Sequence, residues 1–198
     1  MQEIALSILL ILSEIESREE LRFEHSTEQG FDTSCGLSTL ACFLDLYWKE
    51  SADELALASE YLASKIASGD YTVSFTDIKR ILEAKGFKVA AYKMSYEQLE
   101  KAVTKYAPLI VHYDEPEGHF ALVLGIDELR VVTADPSEGT VERDKRDFES
   151  MWSGNVTLAV RQGKAADRSM MNEAITISSG RRELAESSLF PSFAGASW

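Results

Sequence analysis

The hydrophobic period of the chain changes at Pro108. Before it, apolar residues recur at helical spacing: Leu37, Leu40, Ala41, Leu44, Tyr47 and Trp48 place one buried stripe on a helix over residues 35–48. After it come short runs rich in Val, Ile and Leu, at 109–113, 119–126 and 129–133. Two Asp-, Glu-, Pro- and Gly-bearing turns, 114–118 and 135–139, separate these runs. Helices followed by strands, without alternation, specify an α+β chain in which N-terminal helices pack on a C-terminal antiparallel sheet.

Local signals fill in the order. Ser51-Ala52-Asp53-Glu54 reads as a capping box opening a helix to about residue 66. A third helix is expected over 76–85, closed by Gly86, and a fourth from Ser95 that stops before Pro108. A short strand near 140–142, a helical turn around 148–152 and a strand over 156–160 follow. Residues 161–198 lose periodicity, although Phe190, Phe193 and Trp198 lead us to expect a partly docked tail. Residues 1–23 are expected as a helical N-terminal extension and 24–160 as the main domain.

Residues 4–12 carry no charge, but nine residues fall well short of the roughly 20 that span a bilayer. Glu3 before them and Ser13-Glu14-Ile15-Glu16 after them do not match an export signal. No integral membrane segment is expected, and the cytoplasm is favoured over the cell envelope. The 198 residues hold 33 acids against 20 bases, a formal charge of −13. That charge excludes a phosphate-backbone partner, so no nucleic acid is expected. The acidity lies in two blocks, residues 1–63 and 106–160, with a basic block between them.

Cys35 and Cys42, the two cysteines, lie seven apart on one expected helix, which separates their Cα atoms by about 10 Å. A disulfide tolerates no more than about 7 Å, so no bridge is expected. Neither has a companion at ligand spacing, and no metal or cofactor is expected.

Cys35 sits where the polar segment Gln29-Gly30-Phe31-Asp32-Thr33-Ser34 gives way to a helix. The first helical turn presents unpaired N–H groups and the positive dipole end, both of which favour thiolate. Gly36 follows and removes a Cβ from the approach side. Cys42, in the helix interior, reads as an inert buried thiol. Of three histidines, His25 has no evident orienting partner and His112 reads as a structural residue within a strand. His119 opens a strand directly after Gly118. With a hairpin tip at Asp127-Glu128, facing residue numbers sum to about 255. His119 then lies across from position 136, beside Asp135. A carboxylate on one ring nitrogen leaves the other for the thiol. Gln29, six residues before Cys35, offers an amide that could complete an oxyanion hole with the Cys35 N–H.

With Gln29, Ser34-Cys35-Gly36, Gly118-His119-Phe120 and Ala134-Asp135-Pro136 in place, the sequence resembles peptidase family C39. These are the double-glycine leader peptidases of the papain-like cysteine peptidase superfamily. The resemblance covers roughly residues 24–160 and includes a Phe148–Trp152 element similar to the family's F-x-x-x-W segment. It implies a papain-like fold with Cys35 as nucleophile, His119 as base, Asp135 as orienting acid and Gln29 as oxyanion donor. It also implies a peptide or protein precursor as substrate, cleaved after a Gly-Gly leader and linked to a secretion or ABC-type export system. Ser34 stands where the family usually has Asp, which resembles the stand-alone branch associated with export of amyloid or other secreted proteins. Two other readings remain open at this point. One is a cysteine acyltransferase or amidase of the same fold; the other is a domain that holds a leader without cutting it.

Overall fold

The computed structural model describes residues 21–31, 33–114, 118–161 and 166–189. The helical half holds α1 (Cys35–Cys42), α2 (Glu54–Tyr61), α3 (Ala63–Ala67) and α4 (Phe75–Ala84). Then come β1 (Lys88–Lys93), α5 (Tyr96–Tyr106), β2 (Leu109–Tyr113), β3 (His119–Ile126), β4 (Arg130–Asp135) and β5 (Gly139–Asp144). The short helix α6 (Lys145–Met151), β6 (Trp152–Arg161) and the long helix α7 (Arg168–Leu189) complete the described chain. All six strands pair antiparallel in the order β1-β6-β2-β3-β4-β5. This is the expected α+β architecture.

Several boundaries differ from the sequence reading for identifiable reasons. The first helix turns π-helical over Phe43–Tyr47, and Phe43, Leu44, Tyr47 and Trp48 all become buried. The helix expected to open at Ser51 is instead capped by Asp53, whose side chain accepts the Ala56 N–H. It breaks at Leu62, a residue 3 % exposed, so that this side chain enters the core. The box at Ser95 with Gln98 is formed, and another at Ser74 with Asp77 opens α4 one residue before the expected start. Strand β1 was not expected; it is an edge strand paired with β6 alone and largely exposed, so it shows no alternating apolar face.

Helix α7 was not expected either. Its inward residues Met171, Ala174 and Ser178 are small or flexible and yield no strong apolar stripe. A Cβ on Gly125 would fall 2.5 Å from Ile175 Cδ1, so bare backbone lets this helix approach β3 closely. Arg181 donates to the Leu21 carbonyl, tying α7 to the start of the described chain, and the Asp167 N–H donates to the Tyr47 carbonyl. The expected 4–12 helix and the docking residues Phe190, Phe193 and Trp198 lie outside the described residues. Among the described residues, no helix is long and apolar enough to cross a membrane.

Candidate active site

The loop before α1 is closed by Ser34. Its Oγ donates to the Phe31 carbonyl at 2.7 Å and accepts the Phe31 N–H at 3.2 Å. This tight turn delivers Cys35 as the first residue of α1, where its N–H has no acceptor one turn earlier within the helix. Thr39, one turn on, donates from Oγ1 to the Phe120 carbonyl at 2.9 Å and fixes α1 against the start of β3. The Cys35 thiol is thereby brought close enough to the His119 ring and the Phe120 backbone for both to favour its thiolate.

His119 opens β3 and Asp135 ends β4, as the hairpin geometry requires. The register is one residue from that expected, since Leu122 pairs with Ala134 rather than Thr133. The tip falls one residue later than expected, on Glu128 and Leu129, with the Asp127 N–H donating to the Arg130 carbonyl, and the pairing then shifts between Val123 and Gly125. Even so, His119 Nε2 lies 2.8 Å from Asp135 Oδ1. The carboxylate accepts only, so this nitrogen carries the proton.

Asp135 is 1 % exposed and heavily supported. Its Oδ1 also accepts the Ser137 N–H, the Ser137 hydroxyl and the Glu138 N–H, at 2.9, 2.8 and 3.2 Å. Arg143 approaches Oδ2 at 3.4 Å and lies over the Tyr113 ring, which in turn stacks on His119. Every partner of the carboxylate is a donor, the Arg143 guanidinium included, so the group is held as an anion facing the imidazole.

The electrostatics follow from this chain of contacts. Burial pushes the Cys35 thiol up, but the His119 hydrogen bond, the Phe120 backbone and the His119 charge outweigh it, leaving the group below its ordinary value. Burial pulls His119 down, but Asp135 and Cys35 together raise it to about 9. Burial also raises Asp135, and the His119 interaction and Ser137 bonds more than reverse that. The three shifts favour one state, thiolate beside imidazolium beside carboxylate. Cys42 is the opposite case: complete burial pushes its thiol up to about 12. Both cysteines are free.

Gln29 lies in the lead-in, where its N–H donates to the Pro136 carbonyl at 2.9 Å, bringing this segment to the Asp135 turn. The Oε1 of its amide is buried without a hydrogen-bond partner among the described residues. Gly36 needs a correction. Its missing Cβ does not leave the approach open, because that space is filled by Val73 and Phe120, with Val73 Cγ1 2.7 Å from where the Cβ would be. The glycine is a packing requirement that seats α1. His112 packs between Phe75 and Phe120, and burial lowers its basicity.

Three supporting residues were not singled out from the sequence. Ser137 has a local signal, since Asp followed two positions later by Ser is an Asx-turn pattern. Arg143 has none, because its approach to Asp135 depends on the β4–β5 pairing. Ser26 donates to the Asp135 carbonyl at 2.9 Å from 109 residues away, a contact only the tertiary fold creates.

A helix-start thiol facing an imidazole–carboxylate pair on an antiparallel sheet is the arrangement of a papain-like cysteine peptidase. The chain belongs to the Peptidase C39 family, which matches residues 24–164. It is 28 % identical over 156 residues to the "Probable functional amyloid protease FapD" of Pseudomonas aeruginosa, covering 78 % of this chain and 68 % of that protein. The protein of the same description from Pseudomonas fluorescens is 28 % identical over 157 residues, with the same coverages. Among solved structures, the peptidase domain of Streptococcus ComA, a bi-functional ABC transporter involved in a quorum-sensing pathway, superposes with a TM-score of 0.59 at 18 % identity. That match covers 69 % of this chain and 96 % of the domain. A double glycine motif protease from an AMS/PCAT transporter, solved with its leader peptide, gives 0.57 at 19 %, covering 68 % and 89 %. These two show the shared fold. The protein is a cysteine peptidase.

Proposed function

We propose that this peptidase cuts a precursor after a Gly-Gly leader, with Cys35 as nucleophile, His119 as general acid and base, Asp135 as the orienting carboxylate and Gln29 as oxyanion donor. The observation that carries this reading is the continuous Cys35–His119–Asp135 contact, with Asp135 on Nε2 and Nδ1 left for the thiol. The thiolate attacks the glycyl carbonyl carbon. Negative charge on the carbonyl oxygen falls to the Cys35 N–H and the Gln29 amide NH2, whose Oε1 faces the protein interior. His119 gives its proton to the departing amine, then takes one from the water that releases the acyl group.

Recognition of the leader is supported by an apolar groove of about 310 Å³ that reaches Ser34 and Leu37, on either side of Cys35 in the chain. Phe31, Leu37, Leu55, Leu62, Ile66 and Tyr71 are among its lining residues. Phe31, Leu55 and Tyr71 are each at least 60 % exposed, a concentration of large apolar side chains that leaves this groove open to a partner. The occupant we assign is the apolar face of a leader helix. The relatives named as functional amyloid proteases support an amyloid precursor as the substrate, and the transporter peptidase domains of the same fold support an export system as the partner. We assign residues 24–160 to the peptidase domain, with 1–23 and 161–198 as extensions to it.

A synthetic leader ending in Gly-Gly and extended by several product residues tests the proposal by mass spectrometry. Cleavage after the second glycine, lost in Cys35→Ala, is expected. Cleavage elsewhere overturns the specificity, and turnover by Cys35→Ala overturns the nucleophile. Products carrying an added amine would assign the enzyme to acyl transfer, and tight binding with no product to a non-cleaving receptor.

A further inference from the structure

We propose that Glu24, His25 and Glu173 form a binding site for a divalent transition cation, best suited to Zn²⁺. His25 is 3 % exposed, and both ring nitrogens are sealed from solvent with no hydrogen-bond partner among the described residues. Its backbone is well used, with its carbonyl accepting the Tyr47 hydroxyl at 2.6 Å. The ring alone is idle. A buried polar nitrogen left unpaired costs roughly 1–3 kcal/mol, so an imidazole in this state calls for a missing partner.

Two carboxylates supply the rest of the set. A ring nitrogen of His25 and one oxygen each from Glu24 and Glu173 all lie within 4.8 Å of one another. Both glutamates are exposed at the mouth of the cluster. Two carboxylates held this close repel each other, and a cation between them removes that cost while giving the imidazole its partner. One imidazole with two carboxylates suits a borderline metal. Zn²⁺ takes His nitrogen and carboxylate oxygen at about 2.0–2.2 Å and keeps a fourth position for water. Calcium and magnesium prefer all-oxygen shells and are poorer fits to a set that includes imidazole. The Irving–Williams order favours Zn²⁺ over Mn²⁺ and Fe²⁺ at such a site.

The placement gives the ion a mechanical role. Glu24 and His25 belong to the lead-in, which reaches the Asp135 carbonyl through Ser26. Glu173 belongs to α7, beyond the 24–164 region shared with the family. A bound ion therefore fastens an added helix to the segment leading into the catalytic loop. This does not depend on the proposed substrate or on Cys35 as nucleophile.

The test uses the full chain carrying Cys35→Ala, which removes the competing thiolate. Isothermal titration with Zn²⁺ is expected to give one site per chain at micromolar or tighter Kd, and thermal unfolding to shift upward with Zn²⁺ and back with EDTA. Glu24→Gln and Glu173→Gln, at exposed positions, are expected to match the parent Tm in EDTA and to weaken Zn²⁺ binding at least tenfold. Absence of stoichiometric binding, or binding untouched by both glutamine variants, overturns the site. An equal Tm shift from Ca²⁺ or Mg²⁺ at the same concentration overturns the assignment to a transition metal.

Discussion

Asp135 meets His119 through Nε2, at 2.8 Å, and so presents Nδ1 to the thiol. That choice of nitrogen fixes the tautomer, since the carboxylate cannot donate. It also explains why the imidazole is held at about 9 although burial alone would lower it. The carboxylate itself does not drift, because Ser137 and Glu138 hold Oδ1 while Arg143 faces Oδ2.

Asp135→Asn isolates the charge from the geometry. The Asn carbonyl can still accept the Ser137 and Glu138 N–H groups, so the turn survives. Loss of the negative charge lowers the basicity of His119 and with it the fraction of Cys35 present as thiolate. A fall in kcat/KM of about 10²-fold or more is expected, with the alkaline limb displaced to lower pH. An unchanged pH profile would show that Asp135 supports structure only.

The pH dependence of the wild-type enzyme has a definite sign. The reactive state carries a thiolate and an imidazolium. It appears as pH rises through the lowered Cys35 value and is lost as His119 releases its proton near 9. Iodoacetamide should alkylate Cys35 at lower pH than an ordinary thiol requires, whereas Cys42, pushed up to about 12 and buried, should stay unmodified in the folded protein. Peptide mapping after a short pulse reads both sites at once.

Cys42→Ala removes one buried sulfur far from the chemistry. We expect unchanged kcat/KM and a stability loss on the order of 1 kcal/mol. Activity lost at an unchanged Tm would mean the wrong thiol has been assigned.

Gly36→Ala places a methyl 2.7 Å from Val73 Cγ1 and 3.2 Å from Phe120 Cδ2. The cost expected is about 1–3 kcal/mol, together with reduced activity as the start of α1 is pushed off β3. Adding Val73→Gly, which removes both Cγ1 and the Cβ 2.8 Å away, should restore part of both, a coupling read by a double-mutant cycle. Additive losses would place the strain elsewhere.

Leu55→Glu puts a charge in the apolar groove at an exposed position. Cleavage of a full leader is expected to show a KM raised about tenfold or more with kcat little changed, since about 1.4 kcal/mol of apolar contact is a factor of ten. A short peptide carrying only the glycines should be processed at the same rate by both forms. Equal losses on both substrates would remove the groove from leader recognition.

Much of this arrangement was legible because its parts obey local rules. Cys35 lies at a change from polar loop to apolar period, and His119 and Asp135 lie at the two ends of one hairpin. The one-residue error in register did not matter, since a side chain reaches across a strand. What stayed hidden depends on tertiary contact. Arg143 reaches Asp135 only through strand pairing, Ser26 only through a contact 109 residues long, and Gly36 by what its absent side chain would strike. Strand β1, paired on one side, and α7, with Ala174 and Ser178 turned inward, lack the strong patterns that mark a buried face.

The two strand-borne members of the site are 16 residues apart and belong to one hairpin, whereas the hydroxyl tie between α1 and β3 joins residues separated by 81. Closing the first loop costs about 1.4 kcal/mol less chain entropy than closing the second. The imidazole and its carboxylate can thus assemble from a contiguous stretch of chain. The thiol joins them only when the helical layer docks on the sheet. An incompletely folded chain carries an ordinary cysteine, and the contact that lowers the Cys35 value is among those that join the two layers.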